Sequence, residues 1–351
     1  MSPSIPYGKQ TINSEDIKLV TKVLKSDYLT TGPFVEKFEN SFKKKVNSKY
    51  AISCSNGTSA LHLSMLAIGL KKNDVVIMPT INFIASANMS RLLNAKIYLA
   101  DVDSSTGQLT KKTINECIKK NKIRTLKLIL IMHHGGSPNL GSDLSFFKRK
   151  YKCFIIEDAC HALGGKYSIK KNIKVGSCKF SDISTFSFHP VKSITTAEGG
   201  MITTSDKKIY EKIKILRNHG MIRNKLKNTN KFLGYKIVDI GFNYRLSDMS
   251  SALGISQLKR IDKFIKKRNI IFKKYFNKLS CLKDYIYLPD KKKDVQNAWH
   301  LFVLRINFNK LKINRVKFFK LLSSKGVNTQ IHYTPIYNQP LFKDLKSNIF
   351  K

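Results

Sequence analysis

Between residues 50 and 204 the chain repeats one pattern: a short apolar run, a polar turn, then a stretch with apolar residues at helical spacing. The runs are Tyr50–Cys54, Val75–Met78, Lys96–Ala100, Leu126–Met132, Phe154–Asp158, 182–188 and 200–204. Leu126–Met132 is apolar without a break, as a parallel strand covered by helices on both faces must be. Strands alternating with helices imply an α/β fold with a mostly parallel sheet, whose ligands bind beyond the carboxyl ends of the strands. The alternation runs through residue 220, and a polar, lysine-rich crossing occupies 221–240. We therefore expect a large α/β domain over 1–240. A smaller α+β domain over 241–351 is expected to carry a helical stretch from Ser247 to about Leu279, a strand at 299–308, and a helix at 314–325 closed by Gly326. Ahead of the first strand, Ser14 can cap a helix, and Pro33 suits the first turn of the next one.

The bulk charge bears on the partners. Lysine and arginine number 64 against 23 acids, a formal charge of +41, which invites a nucleic-acid or membrane-surface reading. The lysines are scattered in short runs such as Lys43–Lys45, Lys170-Lys171 and Lys291–Lys293, at element ends and on polar faces, with no nucleic-acid motif among them. The excess of Lys, Asn and Ile together reads as compositional bias, so no nucleic-acid partner is expected. A positive field would still attract an anionic nucleotide-linked substrate. No apolar run reaches the roughly 18 residues of a membrane span, and residues 1–30 lack the apolar core of a signal peptide. We expect a cytoplasmic protein without membrane insertion. The six cysteines show no metal spacing, and His133 and His134, as neighbours on a strand, would point to opposite faces, so no metal is expected.

Four stretches at strand ends carry chemistry. In Ser184–Met201, Lys192 lies between an apolar strand and a Thr-Thr-Ala-Glu-Gly-Gly turn. In a chain so rich in lysine it can be a solvated surface amine. Ser187, however, can offer a hydroxyl to an anion, and Gly199-Gly200 permits close backbone approach. An amine held in such a pocket can form a Schiff base with an aldehyde cofactor. Ser55-Asn56-Gly57-Thr58-Ser59 joins a strand to a helix through an Asn-Gly turn, which presents backbone N–H groups and hydroxyls at the positive end of a helix dipole. That is either a phosphate site or an ordinary cap. Glu157-Asp158-Ala-Cys-His161 follows a strand directly: Asp158 is either an acid at the carboxyl edge, with His161 facing the same site, or a helix N-terminal acid. Phe83 can serve the core or the site, Thr30 and Thr31 a plain connection or a substrate loop, and Asn243 is on its own a turn residue.

The lysine segment resembles that of the DegT/StrS group of sugar aminotransferases, which are fold-type I pyridoxal 5'-phosphate (PLP) enzymes. The form Phe-Ser-Phe-His-Pro-Val-Lys followed by Ile-Thr-Thr-x-Glu-Gly-Gly-Met is most similar to the branch that aminates UDP-linked 4-keto-6-deoxy-N-acetylhexosamines in pseudaminic acid biosynthesis. The resemblance runs from Ile5-Pro-Tyr-Gly-Lys-Gln10 to about Pro340. It implies that Lys192 holds the cofactor aldehyde and moves protons, that Asp158 pairs with the pyridine nitrogen, and that His161 lies near the phenolic oxygen. It further implies that Phe83 stacks on the pyridine ring, and that Asn56, Gly57, Thr58, Ser59 and Ser187 bind the cofactor. Asn243 would reach the cofactor phosphate of a neighbouring subunit, making a homodimer with shared active sites. Tyr7, Thr30, Thr31, His332 and Tyr333 fall where relatives contact the nucleotide-sugar substrate, and glutamate is the implied amino donor. Family dehydratases replace the lysine with histidine, so Lys192 favours transamination. A dTDP-linked keto-deoxysugar, or a basic binding protein that keeps only the fold, are the alternatives. Two departures stand out: Ala197 where close relatives have glycine, and a chain that ends at Lys351 where relatives continue for a further helical stretch.

Overall fold

The computed structural model describes residues 4–225, 232–290 and 292–348. Helix α1 (Ser14–Leu24) begins with a capping box in which Asn13, one residue ahead of the expected Ser14, accepts from Asp16 N and Asp16 accepts from Asn13 N. Helix α2 (Pro33–Val46) starts on a proline and ends on Asn47 in the left-handed conformation. Strands and helices then alternate: β1 (Tyr50–Cys54), α3 (Gly57–Ala67), β2 (Val75–Pro79), α4 (Ala85–Leu92), β3 (Lys96–Ala100), α5 (Lys111–Lys120), β4 (Leu128–Met132), α6 (Ser142–Tyr151) and β5 (Phe154–Asp158). A short hairpin, β6 (Lys166–Ser168) and β7 (Ile173–Lys174), precedes β8 (Ile183–Ser187), β9 (Gly200–Thr204) and α7 (Lys207–Leu216).

Seven strands form one sheet in the order β1-β9-β8-β5-β4-β2-β3. Only β9 runs against the others, pairing antiparallel with both β1 and β8. The mostly parallel mixed sheet expected from the sequence is therefore what forms. Its apolar runs are continuous because alternate residues serve different cores. Leu128 and Leu130 of β4 pack on the side of α3, α4 and α7, while Ile129 and Ile131 pack on the side of α5 and α6. The register sets the carboxyl ends of the central strands side by side: Met132 pairs with Asp158, Asp158 with Thr185, and Gly200 with both Ser187 and Cys54.

Beyond the sheet, the crossing after α7 holds an antiparallel pair, β10 (Met221–Lys225) and β11 (Phe232–Ile237). The expected helical stretch from Ser247 is two helices, α8 (Asp248–Lys259) and α9 (Ile261–Leu279), meeting at Arg260. Asp248 is fully buried and accepts from Gly32 N at 2.6 Å and Phe34 N at 2.8 Å, which ties the start of α8 to the start of α2. A third core cluster joins α2, α8 and α9 to β8 and β9 through Phe38, Phe42, Leu258, Ile261, Ile265, Phe186 and Met201.

The strand expected at 299–308 is reduced to β13 (Arg305–Ile306), which pairs with β12 (Ile286–Tyr287). The reason lies in Trp299: its φ of +46° breaks the extended run, and its ring stacks on Phe272 with centroids 3.6 Å apart. Ala298 N and Leu301 N then bond to Gly136 O and Gly135 O, so this segment fastens to the loop after β4 instead of a ladder. Helices α10 (Phe308–Leu311) and α11 (Arg315–Ser324) follow, with Gly326 turning at φ +77° as the sequence suggested. The chain's start docks here. Ile5 N donates to Gly326 O and Asn328 N to Ile5 O, which brings Tyr7 beside residue 332.

Candidate active site

The turn from β1 into α3 is pinned by its own side chains. Asn56 Oδ1 accepts from Ser59 N at 2.8 Å and from Ser59 Oγ at 3.0 Å, and Ser55 Oγ lies 2.9 Å from Ser59 Oγ. Gly57 opens the helix, and a Cβ there would lie 2.8 Å from Ser187 Cβ and 3.5 Å from Cys160 Sγ. Any side chain at 57 would push the helix N-terminus off the end of β8. Gly200 plays the same part on the other flank, where a Cβ would run into Asn56 O. Two glycines thus bring a helix N-terminus, two serine hydroxyls and the lysine loop to one place. Thr58 is exposed at the second helical position.

The loop that carries Lys192 folds back on itself. Phe188 N donates to Gly199 O at 2.8 Å, Thr196 N to Phe188 O at 3.0 Å, and Lys192 N to His189 O at 2.8 Å. Buried Ser193, Ile194, Thr195 and Thr196 anchor it, leaving Lys192 half-buried. Across the sheet edge Asp158 is 2% exposed, its Oδ1 accepting from Cys160 N at 3.1 Å. Its neighbour Glu157 faces the other way and accepts from Tyr167 Oη at 2.7 Å and Ser184 Oγ at 2.6 Å, with His133 Nε2 at 3.7 Å. Burial alone would raise the Glu157 pKa, but His133, Ser184 and Tyr167 together hold it below the usual range. The acid pair is split: Glu157 is a structural ion, and Asp158 is left for the site.

Rings close the space above. His161 is 1% exposed; its Nε2 lies 3.1 Å from Tyr333 Oη, while its buried Nδ1 has no partner. Burial, then the neighbouring His300 and Lys192, holds His161 well below the usual imidazole range, so it is a neutral base near pH 7. His134 is likewise lowered to about 4 by burial and by His332. Its Nε2 faces the His332 carbonyl at 3.1 Å and so carries the proton, since a carbonyl only accepts. His133 and His134 do diverge, one to Glu157 and one to His332. Tyr7 Oη bonds His332 Nε2 at 2.8 Å, and the two rings stack at 5.4 Å. Burial and then the Asp158 charge push the Tyr333 phenol up, so it remains protonated. Phe83 is 49% exposed, with its ring 5.9 Å from that of Tyr333. A large ring left this open beside an orphaned imidazole nitrogen and a buried carboxylate is the surface a flat, polar-edged cofactor would cover.

Not every predicted residue joins this cluster. Thr30 and Thr31 are exposed on the α1–α2 loop, where Thr30 bridges to Ser247. Asn243 is exposed and bridges to Asn218, while its neighbour Tyr244 accepts from Ser55 N at 2.9 Å. Sequence reading missed His300, whose ring centroid is 4.3 Å from that of His161, and Arg268, which donates to Ser193. Neither carries a local signal, because each is brought in by α9 and the Trp299 turn.

A mixed α/β sheet thus sets an amine-bearing loop, a buried carboxylate and a glycine-opened helix at its carboxyl edge, where α/β folds bind their ligands. The profile of the DegT/DnrJ/EryC1/StrS aminotransferase family matches residues 10–350. An uncharacterized protein of Methanocaldococcus jannaschii is 38% identical over 341 residues, covering 97% of this chain and 86% of its own. The UDP-4-amino-4,6-dideoxy-N-acetyl-beta-L-altrosamine transaminase of Campylobacter jejuni is 35% identical over 346 residues, covering 98% and 88%. Among solved structures, Helicobacter pylori PseC, an aminotransferase involved in the biosynthesis of pseudoaminic acid, superposes with a TM-score of 0.86 at 28% identity, covering 98% and 88%. The chain belongs to the DegT/DnrJ/EryC1/StrS aminotransferase family. It is a transaminase, and its cofactor is PLP.

The lysine loop yields a stability prediction. Ala197 is exposed at a φ of +64°, a conformation that costs an L-residue about 1 kcal/mol and costs glycine nothing. Ala197→Gly is expected to stabilise the protein by up to about 1 kcal/mol, read as a higher urea midpoint. A lower midpoint would show that the loop does not hold this turn.

Proposed function

We propose that this enzyme transfers an amino group from glutamate to C4 of a UDP-linked 4-keto-6-deoxy-N-acetylhexosamine, in a pseudaminic-acid-type pathway. The observation that carries the reading is the 35% identity to a transaminase named for such a sugar, over 98% of this chain, together with the Lys192–Asp158 edge. When bound, PLP supplies an aldehyde and an electron-withdrawing ring. Lys192 would hold the aldehyde, Asp158 the ring nitrogen, and Phe83 the ring face. Ser187 and the Asn56–Ser59 turn would hold the phosphate, and the orphaned Nδ1 of His161 would meet the phenolic oxygen.

The residues' own work follows from their states. Asp158, buried away from solvent, would offer its carboxylate to a ring N–H of the bound cofactor, the pairing that favours its electron-accepting form. Lys192 Nζ is the mobile base of the site, able to take a proton from a substrate carbon and return it. His161 stays neutral and, with its Nε2 facing the Tyr333 hydroxyl, orients that ring. Tyr7, His332 and Tyr333 line the substrate side, and Thr30 and Thr31, outside that cluster on the α1–α2 loop, would contact the nucleotide-sugar separately. We take 241–351 as the smaller unit that carries His332 and Tyr333 over the large unit, 1–240. The positive field of a chain with net charge +41 would draw in the diphosphate, so binding weakens as salt rises.

We also propose a homodimer with shared sites and a cytoplasmic location. Asn243 is exposed, and nearby Tyr235, Ile237, Val238 and Ile240 leave apolar surface open, with Ile240 83% exposed. Among the described residues no helix is long and apolar enough to cross a membrane, and all six cysteines are free.

Two experiments test this. With glutamate as donor, kcat/KM is expected to be at least about tenfold higher for the UDP-linked 4-keto-6-deoxy-N-acetylhexosamine than for a dTDP-linked keto-deoxyhexose, with NMR placing the new amine on C4. Preference for the dTDP sugar, or amination at C3, would refute the substrate while leaving the transaminase intact. Separately, Lys192→Ala and Asn243→Ala proteins, each impaired alone, are expected to recover about a quarter of wild-type activity when mixed and re-associated. Half the dimers are then hybrids with one intact site of two. No recovery from a verified hybrid would refute the shared site.

A further inference from the structure

Arg268 is a half-buried cation for which the chemistry described so far has no use. It lies on α9 between Ile265 and Phe272, three residues after one and four before the other, so it shares their core-facing side. Its Nη1 donates to Ser193 Oγ at 3.3 Å, and Ser193, 6% exposed, is the residue after Lys192. Among the described residues no carboxylate lies within ion-pair distance of Arg268, whereas Arg91, Arg217 and Arg260 each have one. Burial pushes its pKa down, the sign of a charge drawn partly out of water. A purely structural position on this face would be served by an apolar side chain, which carries no such penalty.

The surroundings are rigid. Trp299 stacks on Phe272 and donates Nε1–H to Asn269 Oδ1 at 3.1 Å, fixing α9 against the segment that carries His300. Ile261 and Ile265 share a core cluster with Ile194 and Phe188, so α9 and the lysine loop are built on one core and touch through Arg268 and Ser193. His300, backing His161, feels the charges of both Lys192 and Arg268. Arg268, Ser193, Lys192 and His300 therefore form one connected group.

We infer that Arg268 is a positioning residue for Lys192: from the core face of α9 it holds Ser193, and through it the backbone that aims the Lys192 amine at the strand ends. This rests on the assignment of Lys192 as the cofactor-holding amine.

The test uses Arg268→Met, Arg268→Lys, Ser193→Ala and the Arg268→Met/Ser193→Ala double variant in the PLP-loaded protein. Arg268→Met is expected to lower kcat about tenfold or more, leave the KM for glutamate within about twofold, and shift the pH dependence of the bound cofactor's visible band. Arg268→Lys should recover part of kcat, since an ammonium can also donate to Ser193. The double variant should be no worse than Arg268→Met alone, because both act through one contact. Should Arg268→Met fail to fold, Ser193→Ala carries the test, with an expected loss of about threefold in kcat and the same direction of band shift. An Arg268→Met kcat within threefold of wild type, an effect confined to the KM for glutamate, or multiplicative losses in the double variant would overturn the inference; so would an unchanged Ser193→Ala where that variant carries the test. A Lys192→Ala control separates the two levels. If it keeps the wild-type band and turnover, the assignment of Lys192 fails instead.

Discussion

The structure depends on one close approach. The N-terminus of α3 meets the end of β8 where Gly57 lies against Ser187, and Gly200 lets β9 pass equally near the carbonyl of Asn56. A β-carbon at 57 would stand 2.8 Å from Ser187 Cβ, closer than packed atoms allow, and the helix would have to retreat. With it would go the alignment of the Ser55–Ser59 turn, Ser187 and the lysine loop. Because β9 is the reversed strand between β1 and β8, its first residue is the natural place for that contact. The antiparallel strand in an otherwise parallel sheet is thus part of how the site is assembled.

Charge in the site is held by few groups. His134 and His161 are kept neutral by burial, and Tyr333 is kept a phenol, so the rings around the site add hydrogen bonds without adding cations. Positive charge enters through Lys192 and Arg268, and negative charge through Asp158. Glu157, one residue away, is absorbed by Tyr167, Ser184 and His133 on the opposite side of its strand. A two-residue periodicity is what allows adjacent acids to take a structural and a chemical role.

Much of this was legible in the sequence. Strands buried on both faces must be apolar throughout, so their positions could be read directly, and residues just after them had to lie at the ligand edge. Lys192, Asp158, His161 and the Asn56–Ser59 turn followed from that. The resemblance to a known family contributed Tyr7, His332 and Tyr333, which no local pattern reveals: Tyr7 and His332 are separated by 325 positions and meet only because Ile5 docks beside Val327. His300 and Arg268 were not legible for the same reason. The expected strand at 299–308 failed at Trp299, whose φ of +46° leaves the extended region while its ring stacks on Phe272. Asn13 and Ser14 are both good caps, and only the reciprocal bond from Asp16 decides between them. Ala197, where the resemblance implied a glycine, falls at a positive φ where glycine is the relaxed choice.

Every role in the site follows from which amine holds the cofactor, and one measurement addresses that without any substrate. The PLP-loaded protein is reduced with borohydride, digested, and its peptides are weighed. The reduced cofactor is expected on Lys192 alone among the 54 lysines, within the Ser184–Met201 stretch. A modified lysine elsewhere, with Lys192 unmodified, would contradict it.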